Sequence, residues 1–233
     1  MLKTVLVTGG NKGIGLETTI LFQQLGYKVI IVARDCDVEA LQDVNNIIMK
    51  QFDLTDIERI PQLISELGHI DILINNAGVM HSLPYNSYPQ EKVDNILKLN
   101  IEAPVSLIRE VSKSMVIKGS GRIVNNASIA GQIGHPDVWY GITKAGLINA
   151  TKSFAKILGP KGVVINSVAA GPVETDMLKV IPEDRKTAIK NMVYLNRFAK
   201  PEEIAKAIVW LATECPEYIN GTCLDINNGA FPR

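Results

Sequence analysis

Cysteine is scarce in this sequence, and the positions of the few that occur form no pattern. Cys36, Cys215 and Cys223 are the three cysteines of the 233 residues, and no C-x-x-C pair occurs. An odd number of scattered cysteines argues against a disulfide framework or a zinc site, and it favours a reducing compartment. We expect all three to be buried structural thiols.

The sequence also lacks an excess of either charge. It contains 24 basic and 24 acidic residues, which gives a formal net charge of zero. Proteins that bind nucleic acid or anionic membranes usually carry a basic excess or a basic cluster. We therefore expect no nucleic-acid partner and no membrane partner.

Long apolar runs, internal repeats and low-complexity segments are missing as well. No apolar run approaches the length of a membrane-spanning helix, and the first strand follows the N-terminus so closely that a signal peptide has no room. Hydrophobic residues make up 46% of the chain, which is enough for a sizeable core. We expect a cytoplasmic protein with one domain over residues 1–233.

Strand and helix patterns alternate along the whole chain. Such alternation predicts an α/β fold, in which helices cover both faces of a parallel sheet. Pro104 interrupts the third predicted helix and predicts a break or kink there. The predicted strands are Val5–Thr8, Val29–Ala33, Ile47–Phe52, Ile72–Asn75, Arg122–Asn126, Val163–Val168 and Thr222–Ile226, and the predicted helices are Ile14–Leu25, Asp56–Leu67, Val93–Lys118, Val138–Leu158 and Pro201–Thr213.

A glycine-rich turn follows the first predicted strand. The run Val5-Leu6-Val7 is typical of a buried strand. Gly9, Gly13 and Gly15 follow it, and a helical pattern begins directly afterwards. Backbone N–H groups at a helix N-terminus attract anions, and glycine lets a pyrophosphate approach the backbone closely. The segment favours dinucleotide binding over an ordinary glycine-rich turn.

Tyr140 and Lys144 lie four residues apart in a predicted helix, so their side chains share a face. A free tyrosine has a pKa of about 10 and is a poor acid near neutrality. A neighbouring lysine cation would lower that pKa. The pair therefore predicts a proton donor, although Y-x-x-x-K also occurs as a solvated lysine beside a half-buried tyrosine.

Taken together, these segments resemble the motifs of the classical short-chain dehydrogenases/reductases. The resemblance runs from about residue 3 to the C-terminus, and it implies a Rossmann-type doubly wound sheet of seven parallel strands. The matching segments are Thr8-Gly9-Gly10-Asn11-Lys12-Gly13-Ile14-Gly15 for T-G-x-x-x-G-x-G, Asn75-Asn76-Ala77-Gly78 for N-N-A-G, the tetrad Asn100, Ser128, Tyr140 and Lys144, and Gly171-Pro172-Val173-Glu174-Thr175 after the sixth strand.

The resemblance implies a role for each residue of the tetrad. Tyr140 would donate a proton to a substrate carbonyl, and Ser128 would hydrogen-bond the same oxygen. Lys144 would lower the pKa of Tyr140 and hold the nicotinamide ribose, and Asn100 would bind a water that connects Lys144 to solvent. The expected reaction is reduction of a ketone to a secondary alcohol by hydride transfer from the nicotinamide.

Further residues are implied to bind the cofactor. Asp53 would contact the adenine, although it is also typical of a helix start. Val173 and Thr175 would touch the amide end of the nicotinamide. The implied cofactor-binding residues are Gly9, Asn11, Lys12, Gly13, Ile14, Gly15, Arg34, Asp53, Leu54, Asn76, Ala77, Gly78, Tyr140, Lys144, Val173 and Thr175.

The residues after the second predicted strand favour NADP (as NADPH) over NAD. By resemblance, an NAD-selecting aspartate belongs at Ala33, which cannot bond a ribose hydroxyl. Arg34 and Lys12 could converge on the 2′-phosphate of NADP, where charge-assisted contacts are strong. Asp35 is acidic and close, so NAD stays open.

The closest branch in resemblance is that of the 3-oxoacyl-acyl-carrier-protein reductases. The substrate would be a 3-oxoacyl thioester or a small carbonyl compound. That branch docks an acidic acyl carrier protein with basic residues beside the active site. The matching positions are Gly119 and Lys161, with Lys118 adjacent, so docking of acyl carrier protein is weakened.

The segments that border the substrate are less specific in sequence. Residues 173–197 would form a mobile lid over the substrate. His135 is interpreted as a polar wall or surface residue rather than a base. The family usually pairs two long helices, here near Val105–Lys118 and Val138–Leu158, which implies a homodimer or homotetramer. Two alternatives stay open: an NAD-dependent alcohol dehydrogenase of the same family, and a nucleotide-binding sensor without catalysis.

Overall fold

A parallel sheet forms the centre of the protein. The computed structural model describes residues 2–36, 38, 41, 44–178 and 181–232. Within them the strands are β1 (Thr4–Thr8), β2 (Lys28–Ala33), β3 (Ile47–Gln51), β4 (Ile72–Asn75), β5 (Gly121–Asn126), β6 (Val163–Ala170) and β7 (Cys223–Ile226). Their order is β3-β2-β1-β4-β5-β6-β7, and every pairing is parallel. The expected Rossmann-type doubly wound sheet is confirmed.

The central strands form because their side chains are apolar on both faces. Val5, Leu6 and Val7 of β1 each have 0% exposure, and every residue of β4 is buried. β-Branched and leucine side chains suit such strands, since helices cover the sheet on both sides. The outer strands β3 and β7 have no fully buried residue.

Helices form a layer on each face of the sheet. Val5 and Val7 point to the layer that contains Phe22, whereas Leu6 points to the opposite layer with Leu63 and Leu107. This alternation follows from the two-residue period of a strand. The helices are α1 (Gly13–Gln24), α2 (Ile60–Leu67), α3 (Gln90–Leu97), α4 (Ala103–Lys118), α5 (Val138–Leu158), α6 (Glu183–Asn191) and α7 (Pro201–Ala212).

The third predicted helix is interrupted, but not by a kink at Pro104. A π-helical turn, Lys98–Glu102, joins α3 to α4. Pro104 is one of the first residues of α4, where its missing N–H is tolerated. The structure therefore places the irregularity before the proline, at a turn type that is frequent at functional sites.

Helix α6 was not predicted from the sequence. It lies within the predicted lid, and none of its residues is buried. A helix without a buried face gives no apolar periodicity to detect. Two positions of that predicted lid, Lys179 and Val180, lie outside the described residues.

Strand order reverses between β1 and β4. The chain runs from β1 outward to β3, then crosses back to β4 and continues outward to β7. At such a reversal the loops after neighbouring strands diverge, and a crevice opens at the carboxyl ends of the strands. The ends of β1, β4 and β5 therefore border the same crevice.

Only one of the three cysteines matches the expected buried environment. Cys215 is 0% exposed, whereas Cys36 and Cys223 are partly exposed. The expectation of three buried thiols is therefore wrong for these two, because they lie on loop 34–36 and on the edge strand β7. Within the described part of the chain, no helix has both the length and the apolar character needed to span a membrane.

Candidate active site

The β1–α1 turn leaves no space for side chains at its glycines. A Cβ on Gly15 would lie 2.1 Å from the carbonyl oxygen of Gly9. Gly9 and Gly13 have φ values of +61° and +54°, which disfavour any residue with a side chain. Ile14 packs its side chain against the core. The first N–H groups of α1 have no partner within the helix, and together with the helix dipole they suit an anion.

Polar side chains connect this turn to the end of β4. Thr8 Oγ1 accepts hydrogen bonds from the backbone N–H groups of Asn76 (2.9 Å) and Ala77 (3.0 Å). Asn76 Nδ2 donates in return to the carbonyl oxygens of Thr8 (3.0 Å) and Gly9 (3.1 Å). Gly78 follows, where a Cβ would lie 3.3 Å from Asn100 Oδ1. The predicted N-N-A-G element thus lies against the glycine turn.

The segment after β6 lies over the glycine turn. A Cβ on Gly13 would lie 3.2 Å from Cγ2 of Thr175. Val173 is 7% exposed and forms an isolated parallel bridge with Ala199. Thr175 therefore lies next to the glycine turn, and Val173 precedes it by two residues.

A cavity of about 430 Å³ opens beside the end of β3. Its lining includes Arg34, Asp53, Val79, His81 and Leu99. Two predicted cofactor residues, Arg34 and Asp53, thus share one cavity. Its polar lining suits the adenosine half of a dinucleotide.

Asp53 has a structural role in this cavity. Its Oδ1 accepts hydrogen bonds from the backbone N–H (2.9 Å) and the hydroxyl (2.8 Å) of Thr55. These bonds, led by the backbone bond and supported by the charge of Arg34, hold the pKa of Asp53 below its usual value. Leu54 is 5% exposed, and its side chain packs in the core.

The two predicted phosphate-binding cations differ in their surroundings. Arg34 is exposed and lines the cavity. Lys12 is exposed too, and its Nζ lies 3.9 Å from Asp176 Oδ2. Asn11 Nδ2 donates to the carbonyl oxygen of Asp35 at 3.0 Å, which fixes the loop after β2 against the glycine turn.

Tyr140 and Ser128 meet at the carboxyl edge of β5. Ser128 follows β5, and its Oγ accepts the backbone N–H of Ala130 at 3.1 Å. Tyr140 is 8% exposed. Burial is the main cause that raises the pKa of Tyr140 to about 12; the interaction with Ser128 acts against this rise, and the charge of Asp137 adds to it.

This result corrects the expected action of Lys144 on Tyr140. Lys144 Nζ lies 5.7 Å from the centre of the Tyr140 ring and donates to the carbonyl oxygen of Asn126 at 2.8 Å. The predicted lowering of the Tyr140 pKa by Lys144 is wrong in this structure, because burial of the phenol outweighs the bond that favours its charged form. Burial also lowers the pKa of Lys144, to about 8.

Asn100 lies in the π-helical turn and holds the segment after β4. Its Oδ1 accepts from the N–H of Val79 at 2.9 Å, and its Nδ2 donates to the carbonyl oxygen of Val79 at 2.9 Å. Nδ2 also donates to Thr143 Oγ1 of α5 at 3.1 Å. Asn100 is 1% exposed. Asn100 therefore joins the π-helical turn, the segment after β4 and α5. Lys144 lies nearby, because a Cβ on Gly78 would be 3.3 Å from Asn100 Oδ1 and 3.6 Å from Lys144 Nζ.

The sequence analysis assigned no role to two residues near Tyr140. Asn126 accepts the Lys144 ammonium through its carbonyl, and its Nδ2 donates to Asn76 Oδ1 at 2.9 Å. Asp137 precedes α5 and accepts the backbone N–H of Tyr140 at 3.1 Å. An aspartate directly before a predicted helix is a typical N-cap, so the signal for Asp137 was present in the sequence. The contacts of Asn126 depend on strand pairing and had no local signal.

His135 lies against helix α5. Its ring centre is 5.3 Å from that of Tyr140. Its Nδ1 accepts the backbone N–H of Asp137 at 3.1 Å. Burial holds its pKa below the usual value. A neutral ring whose Nδ1 already accepts a hydrogen bond fits a wall better than a base.

The positions that match the carrier-docking residues lie far from this site. Gly119 and Lys161 are near the amino ends of β5 and β6, and a Cβ on Gly162 would touch the Gly119 carbonyl. Ser128 and Tyr140 are at the opposite edge of the sheet. Lys118 also pairs with Asp71. Within one chain, the strands therefore separate these positions from Ser128 and Tyr140.

Comparisons with known proteins cover nearly the whole chain. A family model described as Enoyl-(Acyl carrier protein) reductase matches residues 9–230. The 3-oxoacyl-[acyl-carrier-protein] reductase FabG of Rickettsia prowazekii is 34% identical over 233 positions, covering 97% of this chain and 96% of the relative. The FabG of Thermotoga maritima is 32% identical over 240 positions, covering 97% of each.

A solved structure agrees with these sequence relatives. The structure described as ElxO with NADP bound matches this chain with a TM-score of 0.91 and 30% identity, and the match covers 100% of both chains. The likeness therefore includes the strands, the glycine turn and the helix that carries Tyr140.

Proposed function

Because the chain belongs to the short-chain dehydrogenase/reductase family of oxidoreductases, we propose that it reduces a ketone to a secondary alcohol with NADPH. The observation that carries the proposal is the arrangement of Tyr140, Ser128 and Lys144. All three are brought to the carboxyl edge of the sheet, beside the backbone cradle of the β1–α1 turn.

The glycine turn supports a dinucleotide. Gly9, Gly13 and Gly15 carry no side chain, so a ligand can approach the backbone of the turn closely. The N–H groups of the turn and of α1 would hold the pyrophosphate. The cavity with Arg34 and Asp53 would hold the adenosine. Bound NADPH would supply the hydride of the reaction.

Arg34 supports NADP rather than NAD. The residue that would select NAD is Ala33, which has no hydrogen-bonding side chain. Arg34 is exposed at the cavity and can donate charge-assisted hydrogen bonds to a 2′-phosphate. The solved relative ElxO is described with NADP bound. We assign NADPH to this chain on these grounds.

Tyr140 would act as the acid. A pKa raised to about 12 keeps the phenol protonated near neutrality, so the proton is available when negative charge develops on a carbonyl oxygen. Ser128 would donate a second hydrogen bond to that oxygen. Ser128 lies close enough to Tyr140 to act on the pKa of its phenol, which supports their action on the same atom.

Lys144 and Asn100 would supply and relay protons. Lys144 is buried, and a pKa of about 8 lets its ammonium group release and regain a proton near neutrality. Asn100 holds the segment that faces Lys144 Nζ. We propose that Lys144 also holds the nicotinamide ribose and that Asn100 orders a water next to it.

The substrate proposed is a 3-oxoacyl thioester or a related small ketone. The relatives from Rickettsia prowazekii and Thermotoga maritima are described as 3-oxoacyl-[acyl-carrier-protein] reductases. A free thioester is favoured over a carrier-bound one, since Lys118 is paired with Asp71 and Gly119 offers no cation. We further propose that the chain forms a homodimer or homotetramer through α4 and α5.

The experiment that tests the function is NADPH oxidation, followed at the absorbance of the reduced nicotinamide, with acetoacetyl thioesters and a panel of ketones. We expect turnover with at least one of them. Binding of NADPH without any turnover would instead support a nucleotide sensor, and faster turnover with NADH would support the NAD-dependent alternative.

Tyr140→Phe tests the acid. Loss of the proton donor should lower kcat by roughly 10²–10⁴-fold while the Kd for NADPH changes little. Tyr88→Phe is the matched control, because its hydroxyl is also partly buried but lies outside the tetrad. Unchanged turnover in Tyr140→Phe would refute the assignment of the acid.

A further inference from the structure

Asp137 is a buried carboxylate for which the proposed reaction has no role. It is 2% exposed and lies three residues before Tyr140, at the N-terminus of α5. Among the described residues, no lysine or arginine forms an ion pair with it. Burying a carboxylate is costly unless donors reach both oxygens, so its hydrogen-bond partners indicate what it does.

The two oxygens of Asp137 bind different parts of the chain. Oδ1 accepts the backbone N–H of Tyr140 at 3.1 Å, which caps α5. Oδ2 accepts the backbone N–H groups of His81 at 3.1 Å and Ser82 at 2.8 Å. The hydroxyl of Tyr88 is 3.5 Å from Oδ2, at the limit of a hydrogen bond. One side chain thus joins the catalytic helix to the loop after β4.

That loop forms part of the packing around Tyr140. Val79 and Met80 pack in the cluster that contains Tyr140. Asn100 holds Val79 from one side, and Asp137 holds His81 and Ser82 from the other. Residues 79–82, called the wall segment here, are therefore fixed at both ends.

The wall segment needs this support because its backbone is not relaxed. Ser82 has a φ of +54°, in the left-handed region that residues with side chains rarely adopt. Such conformations persist when surrounding contacts impose them. Asp137 Oδ2 supplies such contacts, because it accepts the N–H groups of His81 and Ser82.

We propose that Asp137 is a positioning residue, which holds the wall segment against Tyr140 through Oδ2 and thereby keeps the phenol hydroxyl aligned with the substrate carbonyl. This inference rests on the proposed function of Tyr140 as the acid. It assigns the two oxygens separate tasks: Oδ1 stabilises the helix, and Oδ2 aligns the site.

Two variants separate these tasks. Serine and asparagine are both good N-caps, so Asp137→Ser and Asp137→Asn should retain the α5 cap. Serine cannot reach the wall segment, and asparagine must present its NH₂ group to the N–H donors that Oδ2 now accepts. We expect kcat to fall about 10²-fold in each variant, the loss that a misplacement of about 1 Å can cause, with KM within about threefold.

The pH dependence of the reduction rate distinguishes the loss of the Asp137 charge beside Tyr140 from a structural defect alone. The groups around Asp137 that titrate or carry charge are His81, Tyr88, His135 and Tyr140, with Lys92 and Arg185 nearby. The charge of Asp137 raises the pKa of Tyr140. Both neutral variants should therefore move the alkaline fall of the reduction rate to lower pH, whereas a structural defect that leaves the ionisation of Tyr140 unchanged would lower the rate without moving that fall.

Amide hydrogen exchange tests the contact without depending on turnover. The N–H groups of His81 and Ser82 should exchange at least tenfold faster in Asp137→Ser than in the wild type. Tyr88→Phe, which leaves both backbone bonds intact, should keep wild-type exchange and kcat. Wild-type kcat and exchange in Asp137→Ser would overturn the inference. If the wild-type protein shows no turnover with any ketone, the proposed function fails, while exchange still decides whether Asp137 holds the wall segment.

Discussion

Single residues of the site are governed by burial more than by their charged neighbours. Tyr140 and Lys144 are both almost inaccessible to water, so the charged form of each is disfavoured. The pKa of Tyr140 is raised to about 12, and that of Lys144 is lowered to about 8. Both shifts have desolvation as their largest cause. In this state, therefore, the phenol keeps its proton, and the ammonium group is the one that titrates closer to neutrality.

Lys144 should make the stability of the protein depend on pH. Between about pH 8 and pH 10 the unfolded lysine is protonated, since its usual pKa is 10.5, while the native lysine is not. The unfolded state then binds more protons than the native state. The contribution of Lys144 to the free energy of unfolding therefore rises with pH, by at most about 3 kcal/mol.

Denaturant unfolding of wild type and Lys144→Met at about pH 7.5 and pH 10 measures this effect. The variant should be more stable relative to the wild type at the lower pH, and the difference should shrink at the higher pH. Lys152→Met is the control, because Lys152 is exposed on the same helix. A pH dependence that is the same in Lys144→Met and in the wild type would contradict the prediction.

Arg34 should determine the preference for NADPH. Arg34→Ala removes the guanidinium group and should weaken the binding of NADPH by about 10–100-fold. A loss of this size corresponds to one hydrogen bond to a charged group. NADH lacks the 2′-phosphate, so its Kd should change much less. Fluorescence titration with both nucleotides measures the two effects, with Arg109→Ala on α4 as the control. Equal losses for the two nucleotides would remove the phosphate role of Arg34.

At the scale of elements, the β1–α1 turn and the π-helical turn do most to build the site. The first brings backbone N–H groups to the crevice because glycines allow Asn76 to lie against the turn. The second places Asn100 where it reaches both polar backbone groups of Val79. Neither element is stabilised by a side-chain cap, so each depends on contacts with neighbouring loops.

Gly15→Ala should disrupt the first of these elements. Its Cβ would lie 2.1 Å from the Gly9 carbonyl oxygen and 2.5 Å from Asn76 Nδ2. The backbone must shift, so we expect a stability loss of about 1–3 kcal/mol and NADPH binding at least about tenfold weaker. Thermal unfolding and NADPH titration measure these changes.

Gly134→Ala is the matched control for that substitution. No heavy atom lies within 4 Å of a Cβ there, and its φ is not positive. It should keep the wild-type Tm and NADPH affinity. If Gly15→Ala also retains the wild-type Tm and NADPH affinity, the close approach of Gly15 to Gly9 is not required for stability or for NADPH binding.

At the scale of the whole molecule, the strand order decides which segments become neighbours. Ser128 and Tyr140 lie at the carboxyl edge of the sheet, whereas Gly119 and Lys161 lie near the amino edge. The length of the strands therefore separates Gly119 and Lys161 from the site of the same chain.

Assembly through α4 and α5 predicts an effect of Ile142→Glu. Ile142 is 50% exposed on α5, so a charge there should weaken an apolar helix contact and shift the protein toward monomer. Leu25→Glu is the control, since Leu25 is 56% exposed but lies beyond the end of α1, on the opposite face of the sheet. Sedimentation velocity compares the species. An unchanged oligomer in Ile142→Glu would exclude α5 as the interface.

The sequence by itself determined the strands, the doubly wound fold and the presence of a glycine-rich strand-to-helix turn. These features are local: apolar strands such as Val5-Leu6-Val7, glycines at a strand-to-helix turn, and Tyr140 and Lys144 four residues apart on one helix. Even the start of α5 was readable, since Val138–Leu158 agrees with its observed bounds. Helix α6 was not readable, because it has no buried face.

The tertiary structure alone decided how these residues act on one another. The direction of the Tyr140 pKa shift depends on burial by segments far along the chain. The second oxygen of Asp137 meets N–H groups 55 and 56 residues away, and the carrier-docking positions are separated from the site by the length of the strands. Local patterns carry no information on such distances, because they arise only when the strands pair and the loops close over them.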